Sequence, residues 1–168
     1  WTVDTTAPDT TIAASPANPS NSSSANLGFT ASEAGASFQC SLDAAPYTVC
    51  ISPMAYSSLA DGAHTFQVKA SDAAGNTDLT PASYTWTVDT TAPTSTVTFP
   101  TEGVAYSATA WNGGCGTPAI GDICGTATDP PPAGGSGVQG VQVSIKRNSD
   151  NLYWDGVAFA SASEVFFA

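Results

Sequence analysis

The sequence predicts an all-β chain built from tandem antiparallel β-sandwiches of Greek-key type, the second incomplete, and three observations predict it. The residues Trp1 to Pro8, WTVDTTAP, recur letter for letter as Trp86 to Pro93, so the repeat is about 85 residues long. Nearly every apolar stretch alternates with period two, as strands with one buried face do. No stretch carries a helical stripe, and turn signals separate the alternating runs.

Taken in order, residues 1–8 read as the last strand and linker of a preceding repeat, because a strand-like Trp-Thr-Val is followed by the turn-and-linker run Asp-Thr-Thr-Ala-Pro. Residues 9–88 form the first domain. In it Ala25, Leu27 and Phe29 alternate with Asn26 and Gly28, and Phe38, Cys40 and Leu42 alternate with Gln39 and Ser41. Phe66, Val68 and Ala70 then alternate with Gln67, Lys69 and Ser71, and Tyr84, Trp86 and Val88 with Thr85 and Thr87. Turns are signalled at Asn18-Pro19, Glu33-Ala34-Gly35, Asp61-Gly62 and Ala74-Gly75-Asn76. Short strands at this spacing argue for a sandwich of immunoglobulin type. Residues 89–93 are the linker and residues 94–168 the second domain.

Two segments of the first domain resemble bacterial immunoglobulin-like repeats of large secreted and cell-surface, adhesin-type proteins. LADGAHTFQVKASDAAGNTD (Leu59 to Asp78) with YTWTVDTTAP (Tyr84 to Pro93) is similar to the last two strands and linker of such a repeat. FTASEAGASFQCSLDAAPYTVC (Phe29 to Cys50) is similar to its cysteine-containing variety. From about Pro93 the likeness weakens: the loop WNGGCGTPAIGDICGTATD is longer, and the strand core is GVQGVQVSIKR followed by DNLYWDGVAF. After SASEVFFA no second AAGN turn and no second Tyr-x-Trp-Thr-Val strand has appeared, so this domain is expected to be truncated or completed by a strand from elsewhere.

Composition bounds the function. Fourteen acids oppose three bases, Lys69, Lys146 and Arg147, for a formal net charge of -11, which disfavours nucleic acid and anionic membrane surfaces as partners. With only 10% of residues charged, Ser, Thr, Ala and Gly must do most of the solvating. There is no signal peptide and no apolar run near 18 residues, so the chain reads as a mature internal segment without a membrane anchor of its own. Cys40 with Cys50 and Cys115 with Cys124 form one local pair in each domain, and two disulfides in an oxidising, extracellular compartment is the economical reading. The alternative, zinc, lacks CxxC spacing and has only His64 to call on.

One constellation has a chemical rationale. In an immunoglobulin-type sandwich the second-to-third and sixth-to-seventh strand loops lie at the pole where the chain enters, which gathers Asp4, Glu33, Asp72 and Asn76. Converging carboxylates without Lys or Arg repel one another, and a hard oxygen-seeking cation, calcium above all, would relieve the repulsion. Asp89 with Asp129 would serve the next junction. Against this stands the ordinary use of Asp and Asn as turn residues, with no EF-hand or nonapeptide calcium signature to raise the case. The resemblance implies the same possibility, since some surface arrays of this type are stiffened by calcium between domains.

Catalysis is not expected: His64 is in register with Phe66 and Val68 and reads as a strand-end residue capping the core, no GxSxG elbow accompanies the serines, and the acids lie in turns and linkers. Trp1 and Trp86, with Val3 and Val88, read as core residues of a final strand. Tyr153 and Trp154, beside an Asp-Gly turn, would either cover the core or expose a flat aromatic to a sugar ring. The expected function is a non-catalytic stalk, spacer or fibre-forming module whose partners are neighbouring repeats or copies of itself, with a surface glycan or protein as a further partner. The alternative is a carbohydrate-binding accessory module of a secreted enzyme.

Overall fold

The computed structural model describes residues 2–99, 124–129, 138, 140–142, 146–147, 152–154 and 159–161. Among these there is no helix, and every strand pairing is antiparallel. The chain divides into two compact units, the first formed mainly by Trp1–Ala92 and the second beginning at Pro93.

The first unit is a sandwich of two sheets. One holds β1 (Thr10–Ala14), β2 (Ala25–Ala31) and β5 (Met54–Tyr56) in the order β1-β2-β5. The other holds β3 (Ser37–Leu42), β4 (Thr48–Cys50), β6 (Gly62–Ser71) and β7 (Ala82–Val88) in the order β4-β3-β6-β7. The chain changes sheet after β2, after β4 and after β5. Each change carries an alternating strand over a shared core, so the buried residues of both sheets face one another.

The period-two pattern sets that core. Ala25, Leu27 and Phe29 point inward from β2, and Phe66, Val68 and Ala70 from β6, all buried. Trp86 and Val88 of β7 meet them. Burying side chains of this size contributes about 1.5–3 kcal/mol each. Edge-to-face contacts tie the sheets together: Phe29 packs on Phe38 with ring centroids 5.0 Å apart, and Tyr56 on Phe66 at 6.1 Å. Cys40 and Cys50 form a disulfide with Cα atoms 5.8 Å apart. Since Cys40 pairs with Thr48 and Phe38 with Cys50, that bond runs diagonally between β3 and β4.

Turn chemistry closes the strands. Gly62 opens β6 at φ +136° and Gly75 turns between β6 and β7 at φ +96°, backbone conformations that disfavour any side chain. Asp43 and Ala44 also take positive φ, 51° and 60°, where β3 ends, a conformation that Asp visits more readily than most residues, and there the Asp43 carboxylate reaches across to His64 and the Thr65 amide of β6.

In the second unit β8 (Thr94–Phe99) pairs with β9 (Cys124–Thr128), from Thr94 opposite Thr128 to Phe99 opposite Cys124. A separate sheet of β10 (Lys146–Arg147), β11 (Leu152–Trp154) and β12 (Phe159–Ser161) has the order β10-β11-β12. The expected missing closing strands concern residues outside those described.

Candidate functional site

The two ends of β6 organise the first unit. At its carboxyl end the hairpin to β7 is an Asp-Ala-Ala-Gly-Asn turn in which Asp72 is the acceptor. Its Oδ1 takes the Asn76 amide at 2.8 Å and its Oδ2 the Asn76 Nδ2 at 2.7 Å. These bonds, the Asn76 side chain first, hold the Asp72 carboxyl below the usual carboxylate range, with backbone amides of the turn adding to them against a smaller opposing effect of burial. Asn76 Nδ2 also donates to the Asp4 carbonyl at 3.2 Å, which fastens the incoming peptide to the turn.

Glu33, in the loop between β2 and β3, completes the group. Asp4, Glu33 and Asp72 each place a carboxylate oxygen within 4.8 Å of the others'. Asp4 is exposed while Glu33 and Asp72 are half-buried. The ion pair of His64 with Asp43 lies away from this pole, and no ion pair to Asp4, Glu33 or Asp72 occurs among the described residues. Three acidic oxygens at this separation suit a hard cation in geometry and ligand type. Asn76, expected beside them, turns its amide nitrogen to both aspartates and so braces the group.

At the amino end of β6 the outgoing peptide is fastened differently. Val88 pairs with Gly62 and is fully buried, and the Asp89 amide donates to the Ser20 carbonyl at 2.9 Å. Asp61 then binds the linker: its Oδ1 accepts the Thr90 amide at 3.0 Å and the Thr90 hydroxyl at 2.7 Å, and its Oδ2 accepts the Thr91 hydroxyl at 2.9 Å. The Thr90 hydroxyl, then the Thr90 amide and the Thr91 hydroxyl, lower the Asp61 pKa. Asp61-Gly62 reads in the sequence only as a turn. The signal for its further role is the pair of linker threonines, whose donors need an acceptor near the end of the closing strand.

Asp89 is itself buried and belongs to the first unit, whereas Asp129 follows β9 in the second. Val3, expected to be buried like its counterpart Val88, is 70% exposed, and among the described residues no strand pairs with the first copy of the peptide. Trp1 and Cys115 lie outside the described residues; Cys124 is disulfide-bonded. Tyr153 and Trp154 lie in β11, opposite Lys146 of β10 and Phe159 of β12 respectively.

His64 has both ring nitrogens engaged, Nδ1 with Asp43 Oδ2 at 2.8 Å and Nε2 with the Ala60 carbonyl at 2.9 Å. Both partners are acceptors, so the arrangement suits the protonated ring and leaves no nitrogen to take a proton from a substrate.

Comparison of the chain with protein-family models, with curated proteins and with solved structures finds no match. The functional reading therefore rests on the chain's own residues.

Proposed function

We propose that this chain is a non-catalytic structural module of a repetitive extracellular protein, acting as a stalk or spacer unit in a tandem array of immunoglobulin-like sandwiches. One observation carries the reading: the same octapeptide is fastened at both ends of a single strand. Its first copy meets the β6–β7 turn through Asp4, and its second leaves beside Gly62 at the start of β6. A ten-residue strand separates the two, roughly 30 Å at about 3.3 Å per residue. Entry and exit at opposite ends suit head-to-tail stringing, in which each module adds its own length.

Other features support the same reading. The strand orders β1-β2-β5 and β4-β3-β6-β7 are compatible with an immunoglobulin-like Greek key. The Cys40–Cys50 disulfide suits an oxidising compartment. The acidic group at the entry would take calcium and stiffen the joint, with Asp4, Glu33 and Asp72 as oxygen ligands.

Small-angle scattering tests the proposal. The full chain is compared with the same chain lengthened at its amino end by further copies of residues 1–85. A spacer gains a constant increment in maximum dimension per copy, about 35–50 Å for one long strand plus a five-residue linker. Increments that shrink with each copy would mean that the modules fold back on one another, and the stalk reading would fail.

A further inference from the structure

The two copies of the octapeptide stand in different surroundings, and comparing them assigns a partner to the first. Both make the same local turn: the Thr6 amide donates to Asp4 Oδ1 at 3.1 Å, and the Thr91 amide to Asp89 Oδ1 at 3.2 Å. The second copy has in addition a sheet edge and a clamp. Val88 is fully buried against β6, the Asp89 amide is held by Ser20, and Thr90 and Thr91 are held by Asp61. In the first copy Val3 is 70% exposed, and Thr5 and Thr6 are exposed.

We infer that Thr2 to Thr6 is the docking strand for a preceding copy of this same repeat, whose counterparts of Gly62, Ser20 and Asp61 bury Val3 and bind Thr5 and Thr6. The partner is fixed by identity of sequence: residues that pair with β6 and satisfy Asp61 at the second site are present unchanged at the first. The grips do not compete. The Asp61 clamp uses the amide and hydroxyls of the threonines, whereas Asn76 uses the carbonyl of the preceding aspartate. One peptide can therefore be held from behind by Asp61 of one repeat and from ahead by Asn76 of the next. The joint then has no free stretch between strand end and following turn, and its orientation is set by hydrogen bonds on adjacent residues. This rests on the tandem-array reading and adds the residues that fix each joint.

The internal repeat supplies its own control for amide hydrogen exchange. In the 168-residue chain the Thr90 amide is expected to exchange about tenfold or more slowly than that of Thr5, because only the former has a carboxylate acceptor from the preceding sandwich. In a chain carrying an added copy of residues 1–85 before Trp1, the Thr5 amide is expected to slow to the rate of Thr90. Asp61→Ala in the added copy should return Thr5 to fast exchange and leave Thr90 unaffected. Circular dichroism melts of both lengthened chains confirm that the added sandwich is folded. Fast exchange at Thr5 beside a folded added copy overturns the clamp, as does slow exchange that survives Asp61→Ala. Regular scattering increments with a fast Thr5 would leave the spacer and remove the clamp, and a slow Thr5 with shrinking increments would do the reverse.

Discussion

The carboxylate of Asp43 holds the imidazole of His64 at 2.8 Å, and the same carboxylate caps the Thr65 amide at 2.8 Å through its other oxygen. One side chain thus ties the end of β3 to the third and fourth residues of its neighbour β6. His64 is nearly buried and stands 5.6 Å from the Trp86 ring, so the pair joins the turn after β3 to the central core.

A pH dependence follows. Burial opposes the charge on His64, but the hydrogen bond to the Ala60 carbonyl and the bond to and charge of Asp43 outweigh it, so its pKa is raised above 6.5. A group whose pKa rises on folding stabilises fully below its unfolded value and loses that contribution as pH climbs through the folded value. Urea midpoints should therefore fall from about pH 6 to about pH 8.5, and His64→Gln should flatten that change. A wild-type midpoint that holds constant across the interval would remove the assignment.

Among the described residues Trp86 is the largest fully buried side chain, and its indole nitrogen has no hydrogen-bond partner there. Trp86→Ala should cost about 3–5 kcal/mol, a large part of a small domain's stability. Trp86→Phe should cost less than about 1.5 kcal/mol, since removing an unsatisfied donor offsets part of the lost packing. Circular dichroism melts in urea measure both, and equal losses would mean that the indole nitrogen is satisfied in solution.

The strands legible in the sequence are those whose alternation reports a buried face: β2, β3, β6 and β7 carry inward residues at every second position. β1, β4 and β5 do not stand out. β4 is a three-residue edge strand whose Val49 is 81% exposed, so its apolar content misstates its inward face, where only Cys50 is buried. Residues of the entry pole were legible because loop order in a sandwich fixes which turns share an end, and Asp4, Glu33 and Asp72 do come together. The roles of Asp43 and Asp61 were not, since each bonds residues more than twenty positions away, and an aspartate at a turn looks the same with or without such a partner. The exposure of Val3 was likewise hidden, because identical letters imply identical burial only where the neighbouring strand is also present.

The Cys40–Cys50 disulfide closes a loop of sequence separation 10 next to the edge of the sandwich. In the chain-entropy model such a loop contributes about 2–3 kcal/mol. Replacing both cysteines by serine should lower the melting midpoint of the first unit by about 10–20 °C, at about 4–8 °C per kcal/mol for a domain of this size. A reductant should produce the same fall in the wild-type chain and none in the variant. If reduction leaves the wild-type midpoint unchanged, the bond is not stabilising the fold, and packing of Phe38 and Cys40 against β6 suffices.

The acidic entry pole gives the last prediction. Asp4, Glu33 and Asp72 hold their oxygens within 4.8 Å with no basic neighbour among the described residues, so a calcium ion placed there would replace repulsion with attraction. A ligand that binds only the folded state stabilises by mass action, about 2.7 kcal/mol at a hundred times its dissociation constant. Calcium should therefore raise the melting midpoint relative to chelator, and Asp4→Asn with Asp72→Asn should abolish the rise. The paired change also separates two ways of stiffening the joint. Asn76 binds Asp4 through its backbone carbonyl, so Asp4→Asn leaves that bond in place while removing a ligand charge. A calcium effect that survives the double variant would place the ion elsewhere in the chain. Coincident curves in calcium and chelator would leave the hydrogen bonds of Asp61 and Asn76 as the holders of the linker, with the three acids solvated.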